Sequence, residues 1–353
     1  MTLKDLGYTD ELESYRKTEG LEGLSVGRVV LEHKERYVVR THEHEYDAEV
    51  LGNLRFSAQS RADFPAVGDW VAISEYDDNK ALIHKVFPRK TVIERQAVGK
   101  RGEKQVIAAN IDTAFIVQAV DRDFAINRIE RYITICHTSG VAPVVLVTKT
   151  DLVTPAEKQE MISAITERVQ EVPVLAISNT TGEGLEALRK QIVPGQTYGL
   201  LGSSGVGKST LVNSLSGREM MKTQTISQST GRGRHSTTHR ELHVLENGGI
   251  LIDNPGMREV GITDSAEGLE TTFSIISEYA VYCKFKDCTH TTETGCAVLA
   301  AVEEGTIDRG AYENYLKMER EKAFFESTIA ERRKKDKDFG KMIKEVKARK
   351  PYK

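Results

Sequence analysis

Gly202-Ser203-Ser204-Gly205-Val206-Gly207-Lys208-Ser209-Thr210 satisfies G-x-x-x-x-G-K-[ST]. The glycines let successive backbone N–H groups curl inward toward phosphate oxygens. Lys208 is then placed to reach the β- and γ-phosphates, and the Ser209 hydroxyl to hold Mg²⁺. Upstream, Tyr198–Leu201 is a short apolar run that suits a strand. Downstream, Leu211, Val212 and Leu215 recur at helical spacing until Gly217. Strand, phosphate loop and helix in that order imply an α/β domain that binds a nucleoside triphosphate. An ordinary Gly/Ser turn would not carry both flanks.

The rest of the chain bounds what surrounds this loop. At 353 residues it is too long for one ordinary domain. Its 39% hydrophobic and 29% charged residues are those of a soluble globular protein. No apolar run approaches the length of a membrane span, and Met1-Thr2-Leu3-Lys4-Asp5 lacks the core of a signal peptide. A cytoplasmic protein without a membrane partner is expected, and nothing calls for more than a monomer. The net charge of −3 leaves nucleic-acid affinity to local patches.

Residues 1–20 are polar, with a short exposed helix expected over Asp10–Lys17. From Val26 the pattern turns to period two: Val26–Leu31, Tyr37–Arg40, Tyr46–Leu51, Val67–Ile73 and Ala81–Val86 read as strands. Five short strands at about ten-residue spacing suggest an OB-like β-barrel within residues 1–95. Trp70 fits its core better than a base-stacking face. Arg28, Lys34, Arg36, Arg40, Arg55 and Arg61 permit nucleic-acid contact, and Arg89–Lys104 reads as a basic linker.

Beyond it the grammar becomes α/β. Thr113–Val120, Val141–Val147 and Val172–Ile177 read as strands, and Ile126–His137, Pro155–Val169 and Leu185–Ile192 as helices. Glu241–Leu245 and Gly249–Asp253 form a strand pair after the polar segment Met221–Thr238. The alternation implies a doubly wound, mostly parallel sheet over residues 96–262.

Two further motifs make the triphosphate a guanine nucleotide. Thr148-Lys149-Thr150-Asp151 matches [NT]-K-x-D at a strand end. Asp151 there accepts two hydrogen bonds, from guanine N1–H and the exocyclic amine; adenine lacks that donor pair, which argues against an ATPase. The Lys149 stem covers the base, and Ser178 of Ile177-Ser178-Asn179 falls near it. Asp253-Asn254-Pro255-Gly256 supplies D-x-x-G, with Asp253 toward Mg²⁺ and the Gly256 N–H toward the γ-phosphate. The order is rearranged: the guanine motifs precede the phosphate loop and D-x-x-G comes last. A circular permutation accounts for it, because domain termini often lie close together.

Cys283-x₄-Cys288-x-His290-x₅-Cys296 gathers three thiols and one imidazole. Four such ligands suit one closed, tetrahedral, structural Zn²⁺. Lys284, Phe285 and Lys286 give this knuckle a basic, partly aromatic face, whereas Cys136 on an apolar helix reads as core. The chain ends in a helical stretch from Ile307. Residues 317–353 hold 14 Lys/Arg against 7 Asp/Glu, an excess that favours contact with an RNA backbone.

With this motif order the chain resembles the circularly permuted bacterial GTPases called ribosome small-subunit-dependent GTPase A. The resemblance covers nearly the whole chain. It implies an N-terminal OB domain, a permuted GTPase domain and, over 263–353, a helical zinc-binding domain. It further implies hydrolysis of GTP to GDP, stimulated by the small ribosomal subunit, during late maturation of that subunit. Gly233-Arg234-His235-Ser236-Thr237-Thr238 resembles the family's G-x-H-T-T segment. His235 would then position the attacking water, and Thr237 or Thr238 would close on Mg²⁺, Thr237 being the first candidate. Arg232, Arg234 and Arg258 could offset transition-state charge or meet RNA phosphate. Two departures are Thr148 for the Asn of many GTPases and Ser178-Asn179 for the usual Ser-Ala. Met257 occupies the position after D-x-x-G where Ras-like GTPases carry a water-orienting Gln. That motivates an alternative reading, an RNA-binding assembly module whose nucleotide site is an affinity switch with negligible turnover.

Overall fold

The computed structural model describes residues 1–33, 36–96, 104–121, 124–217, 240–253 and 266–326. Lys34, the segment holding Arg232, Arg234, His235, Ser236, Thr237 and Thr238, the positions Gly256, Met257 and Arg258, and the basic tail from residue 327 lie outside them.

A short helix α1 (Asp10–Thr18) precedes five strands: β1 (Ser25–His33), β2 (Arg36–Arg40), β3 (Glu45–Val50), β4 (Trp70–Asp77) and β5 (Lys80–Val86), with helix α2 (Gly52–Ser57) between β3 and β4. The alternation seen in the sequence is literal in β3, where Tyr46, Ala48 and Val50 are buried and Glu45, Asp47 and Glu49 are exposed. Pairing runs β1-β2-β3-β5-β4 and returns from β4 to β1, closing a barrel. Val29, Val39, Val71, Ile73 and Ile83 fill its interior. Trp70 is core, 1% exposed, with the Tyr8 ring edge-on at 4.9 Å.

Two expectations are corrected here. The Arg89–Lys104 stretch is not a linker: β6 (Val92–Gln96) pairs antiparallel with β7 (Lys104–Ala109). Ile93, Ile107 and Ala108 bury fully enough to join the main core, which the charges around them obscured. Arg89 is tied down as well, its guanidinium 2.7 Å from the buried Asp69 carboxylate. Nor is Arg28 available to nucleic acid. It is 1% exposed and donates to Gly68 O, Leu6 O, Asn110 O and Thr197 Oγ1.

The α/β region follows as β8 (Thr113–Ala119), α3 (Ile126–Thr138), β9 (Ala142–Thr148), α4 (Pro155–Arg168), β10 (Val174–Ala176), α5 (Leu185–Gln191), β11 (Thr197–Leu201), α6 (Lys208–Ser216), β12 (Arg240–Val244) and β13 (Ile250–Asp253). Thr154 and Glu157 cap α4 reciprocally, with Pro155 in its first turn. The strand order is β10-β9-β8-β11-β13-β12, parallel throughout except β12 against β13. Neighbouring residues of one strand feed opposite faces. Ile116 joins a cluster with Ile133, Cys136 and Val145, while Phe115 and Val117 join Leu146, Leu200 and Leu211. Burial on both faces is what makes these strands continuous apolar runs. The permutation is visible in the order: β11, which leads into the phosphate loop, lies mid-sheet yet follows β8–β10 in the chain.

The sheet does not stop at β12. Its Arg240 and Glu241 pair with Glu32 and Leu31 of β1, so the GTPase sheet runs into the barrel as one ladder of eleven strands. The C-terminal part is helical: α7 (Ala266–Thr272), α8 (Ser274–Ala280), α9 (Ala297–Glu303) and α10 (Arg309–Glu326) surround Leu269, Phe273, Ile276, Val298 and Met318. Helix α7 sits tightly on α3 because residue 268 is glycine; a Cβ there would fall 2.1 Å from Thr138 Oγ1. Among the described residues, no helix is long and apolar enough to cross a membrane.

Candidate functional site

The motif residues that lie within the described chain meet at the C-terminal ends of β8, β9, β10, β11 and β13, where ligands bind in open α/β sheets. The loop Gly202–Gly207 leaves β11 and ends at α6, which starts at Lys208. Gly202, with φ +150°, lies so close to β8 that a Cβ would stand 2.4 Å from Val117 O. Gly207, with φ +99°, turns the chain into the helix. Glycine is required at both for backbone reasons alone. The Lys208 ammonium lies across the loop it belongs to, donating to Gly202 O (2.9 Å) and Ser203 O (2.6 Å). Ser203 is 3% exposed and Val206 1%, Ser204 and Ser209 are half-buried, and Gly205 and Thr210 face outward. Asp253 is 3% exposed and stands beside Leu200 in the ladder, two residues before the loop begins.

The T-K-x-D turn is wired to this loop through side chains. Thr148 is fully buried at the end of β9, and its hydroxyl donates to Val206 O at 2.7 Å. Lys149 adopts a left-handed conformation, φ +60°, at a cost of about 1 kcal/mol for a residue with a Cβ. Its ammonium meets Asp121 Oδ2 at 2.7 Å. Ser178 is fully buried, and its oxygen accepts from the Thr180 and Thr181 N–H groups at 3.2 and 3.1 Å. Those bonds leave its one proton for Asp151 Oδ1, at 2.5 Å. One carboxylate oxygen of Asp151 is therefore anchored, which fixes the direction of the other. Glu183 braces the turn from outside, accepting from Lys158 Nζ (2.6 Å) and Thr150 Oγ1 (3.4 Å). The bond from Lys158 holds the Glu183 carboxyl below its ordinary range.

Sequence reasoning placed Thr148, Lys149, Asp151, Ser178 and the phosphate loop together, and they are together. It missed Asp121 and Glu183. Asp121 directly follows the β8 run and carried no motif.

The second candidate centre is the zinc knuckle. Cys283, Cys288, His290 and Cys296 bring their ligand atoms within 4.8 Å of one another. Cys283 Sγ and Cys296 Sγ are 3.9 Å apart, and His290 Nδ1 lies 3.6 and 3.5 Å from them. The edges of a tetrahedral zinc site are about 3.8 Å between sulfurs and about 3.5 Å between sulfur and nitrogen, so the donors fit that ion. The turn carrying His290 is left-handed, φ +57°, and is held by Tyr312 Oη, which donates to His290 O at 2.6 Å. Glu293 shapes the loop between ligands: its carboxylate accepts from the Thr289 hydroxyl and from the N–H groups of Thr289, Thr291 and Thr292. The Thr289 hydroxyl bond is the largest cause holding that carboxyl far below its usual range. Cys136, by contrast, is fully buried on α3, and burial pushes its thiol well up.

Comparison with known proteins agrees with the nucleotide centre. Residues 86–263 match the family model described as RsgA GTPase. The small ribosomal subunit biogenesis GTPase RsgA 1 of Bacteroides thetaiotaomicron is 39% identical over 345 residues, covering 98% of this chain and 96% of that protein. The small ribosomal subunit biogenesis GTPase RsgA 2 of Listeria monocytogenes is 43% identical over 328 residues, covering 92% and 90%. Among solved structures, YjeQ from Thermotoga maritima superposes with a TM-score of 0.61 at 25% identity, over 83% of this chain and 96% of that one. YloQ, described as a circularly permuted GTPase, gives 0.58 at 21% identity, over 94% and 97%.

Proposed function

Since the chain belongs to the RsgA GTPase family, we propose that it hydrolyses GTP to GDP and phosphate with Mg²⁺ while acting on the small ribosomal subunit, late in that subunit's maturation. The observation that carries the choice of base is the Asp151 carboxylate, anchored by Ser178 on a turn that Thr148 ties to the phosphate loop. The subunit as partner is supported by the names of relatives matched over most of the chain.

Lys208 and the loop amides hold the phosphates, Ser209 and Thr237 hold Mg²⁺ with Asp253 behind them, and His235 positions the attacking water. Mg²⁺ held there would supply positive charge to offset that of the phosphates. Cys283, Cys288, His290 and Cys296 hold one structural zinc. The barrel and the knuckle grip ribosomal RNA, the knuckle through a face with Tyr282 77% and Phe285 46% exposed beside Lys284 and Lys286. The protein works as a monomer in the cytoplasm.

Steady-state GTP turnover measured while small subunits are titrated in tests the reading. Turnover should rise and saturate; turnover that stays near zero at saturating subunits sinks it and leaves the affinity switch.

A further inference from the structure

The nucleotide site occupies the C-terminal ends of the parallel strands. A second cleft opens at their other end, where β8 and β11 begin. It measures about 660 Å³, within the ~300–1,000 Å³ usual for small-molecule sites. Three parts of the chain meet there. Helix α1 brings Leu12 and Tyr15, the barrel brings Trp70 and Arg28, and the end of the sheet brings Asp112 and Thr197. The wall is mostly apolar.

Its charges do not balance. Arg89 is matched by Asp69 at 2.7 Å and Lys90 by Asp112 at 2.9 Å. Arg28, fully buried, has no carboxylate of its own, because its four acceptors, Gly68 O, Leu6 O, Asn110 O and Thr197 Oγ1, are all neutral. Those bonds use four of the five guanidinium hydrogens. The fifth, on Nη1, meets no acceptor among the described residues. Gly7, also in the wall, stands against that nitrogen without a side chain to cover it; a Cβ there would lie 3.1 Å from Nη1. Burial pulls the guanidinium down to about 10 although Asp112 and Asp69 oppose the shift, so their charge offsets Arg28 only in part. Glu11, the other acid of the wall, is exposed. A buried cation with one donor left over is completed by an anion.

We propose that this cleft binds a small organic carboxylate with a flat apolar body. The carboxylate accepts from Arg28 Nη1, and the body lies against Leu12, Tyr15, Pro88 and Trp70. A phosphate suits the cleft less well, since it brings close to two negative charges where one cation is unmatched.

Trp70 is the only tryptophan of the chain, so its emission reads this cleft alone. Phenylacetate serves as the probe, titrated into the full-length protein at fixed ionic strength with GDP and Mg²⁺ saturating, so that the phosphate loop takes no part. Trp70 emission should change and saturate at millimolar probe. Phenylacetamide, of the same shape but uncharged, should bind at least about 10-fold more weakly, the size of a hydrogen bond to a charged group. Arg28→Lys keeps the charge but loses the fork, and should lose most of that difference. Gln196→Glu keeps the test alive if that variant does not fold: it adds a negative charge to an exposed wall residue at constant shape. It should weaken phenylacetate about 5-fold, as expected for like charges near solvent, and leave phenylacetamide unchanged. Equal binding of acid and amide overturns the proposal, leaving an apolar cleft with no anion site. Displacement of phenylacetate by an equal concentration of inorganic phosphate overturns the carboxylate assignment. A Trp70 signal that never saturates shows that water alone fills the cleft, and overturns it as well.

Discussion

On the barrel side, β12 carries the GTPase sheet into β1 through backbone pairing, whereas on the C-terminal side helices are clamped to helices by side chains. The barrel seam is a ladder reinforced by apolar contact: Val30 and Val67 share a cluster with Leu242, Ile250 and Ile252. Its polar parts are half-buried. Arg240 Nη1 meets Glu32 Oε2 at 3.0 Å, and burial raises the Glu32 carboxyl above its usual range despite that partner. The C-terminal seam is a set of discrete clamps on α3. Glu130 pairs with Arg168 at 2.7 Å and accepts from Asn314 Nδ2 at 2.6 Å; Arg131 forks onto Glu321; His137 Nδ1 lies 3.1 Å from Thr272 Oγ1. A ladder transmits register and tolerates little sliding, while clamps release one at a time. The barrel therefore moves with the GTPase sheet, and the C-terminal helices are the part that can shift on it.

Metal removal breaks this comparison most severely. The four ligands lie between α8 and the start of α9, and in peptides such sites are worth about 10–16 kcal/mol in apparent binding. Chelation of zinc from the purified protein should unfold α8 to α10 while β1–β5 and β8–β13 stay folded. Amide hydrogen exchange reads both regions at once. If the barrel opens together with the C-terminal helices, the two seams are not independent.

The seams differ equally in how far they were legible. The phosphate loop, T-K-x-D and the Cys/His cluster were readable because each chemistry demands particular residue types at fixed spacing. The strands of the barrel were readable because one buried face enforces period two. The β1–β12 ladder was not, since Leu31 and Glu241 are 210 positions apart and nothing in either strand names its partner. Arg28 was misread for a physical reason: a charge in a strand is usually solvated, and only its four acceptors, scattered from Leu6 to Thr197, show that it is buried. Arg168 escaped notice in the same way, ending an ordinary helix with its carboxylate partner on another.

Arg28 gives the next largest effect and sharpens the barrel side. It bridges the N-terminal segment, the barrel and the first residue of β11, which leads to the phosphate loop. Burial lowers its guanidinium to about 10, so it remains charged at neutral pH. Arg28→Met removes the charge but strands buried acceptors, at about 3–5 kcal/mol of stability. Denaturant melting should show that loss, and GDP affinity should fall with it because Thr197 starts the strand that aims the loop. A variant as stable as the native protein would mean that the ladder alone holds the barrel.

Arg131 tests the opposite seam with the smallest change. Its guanidinium meets Glu321 with two bonds, 2.7 and 2.6 Å, yet the side chains keep 27% and 23% exposure. Fork geometry strengthens such a pair, and partial exposure weakens it through solvent screening, so Arg131→Ala should cost about 0.5–1 kcal/mol. The loss should shrink as salt is added, because the pair is near enough to solvent to be screened. It should appear as faster exchange along α10 with β1 and β12 unchanged, since Glu130, Arg168 and Asn314 continue to hold the helix. If α10 detaches outright on losing this one pair, the C-terminal seam is a single latch, and the contrast between a rigid ladder and separable clamps no longer describes how the GTPase carries its two neighbours.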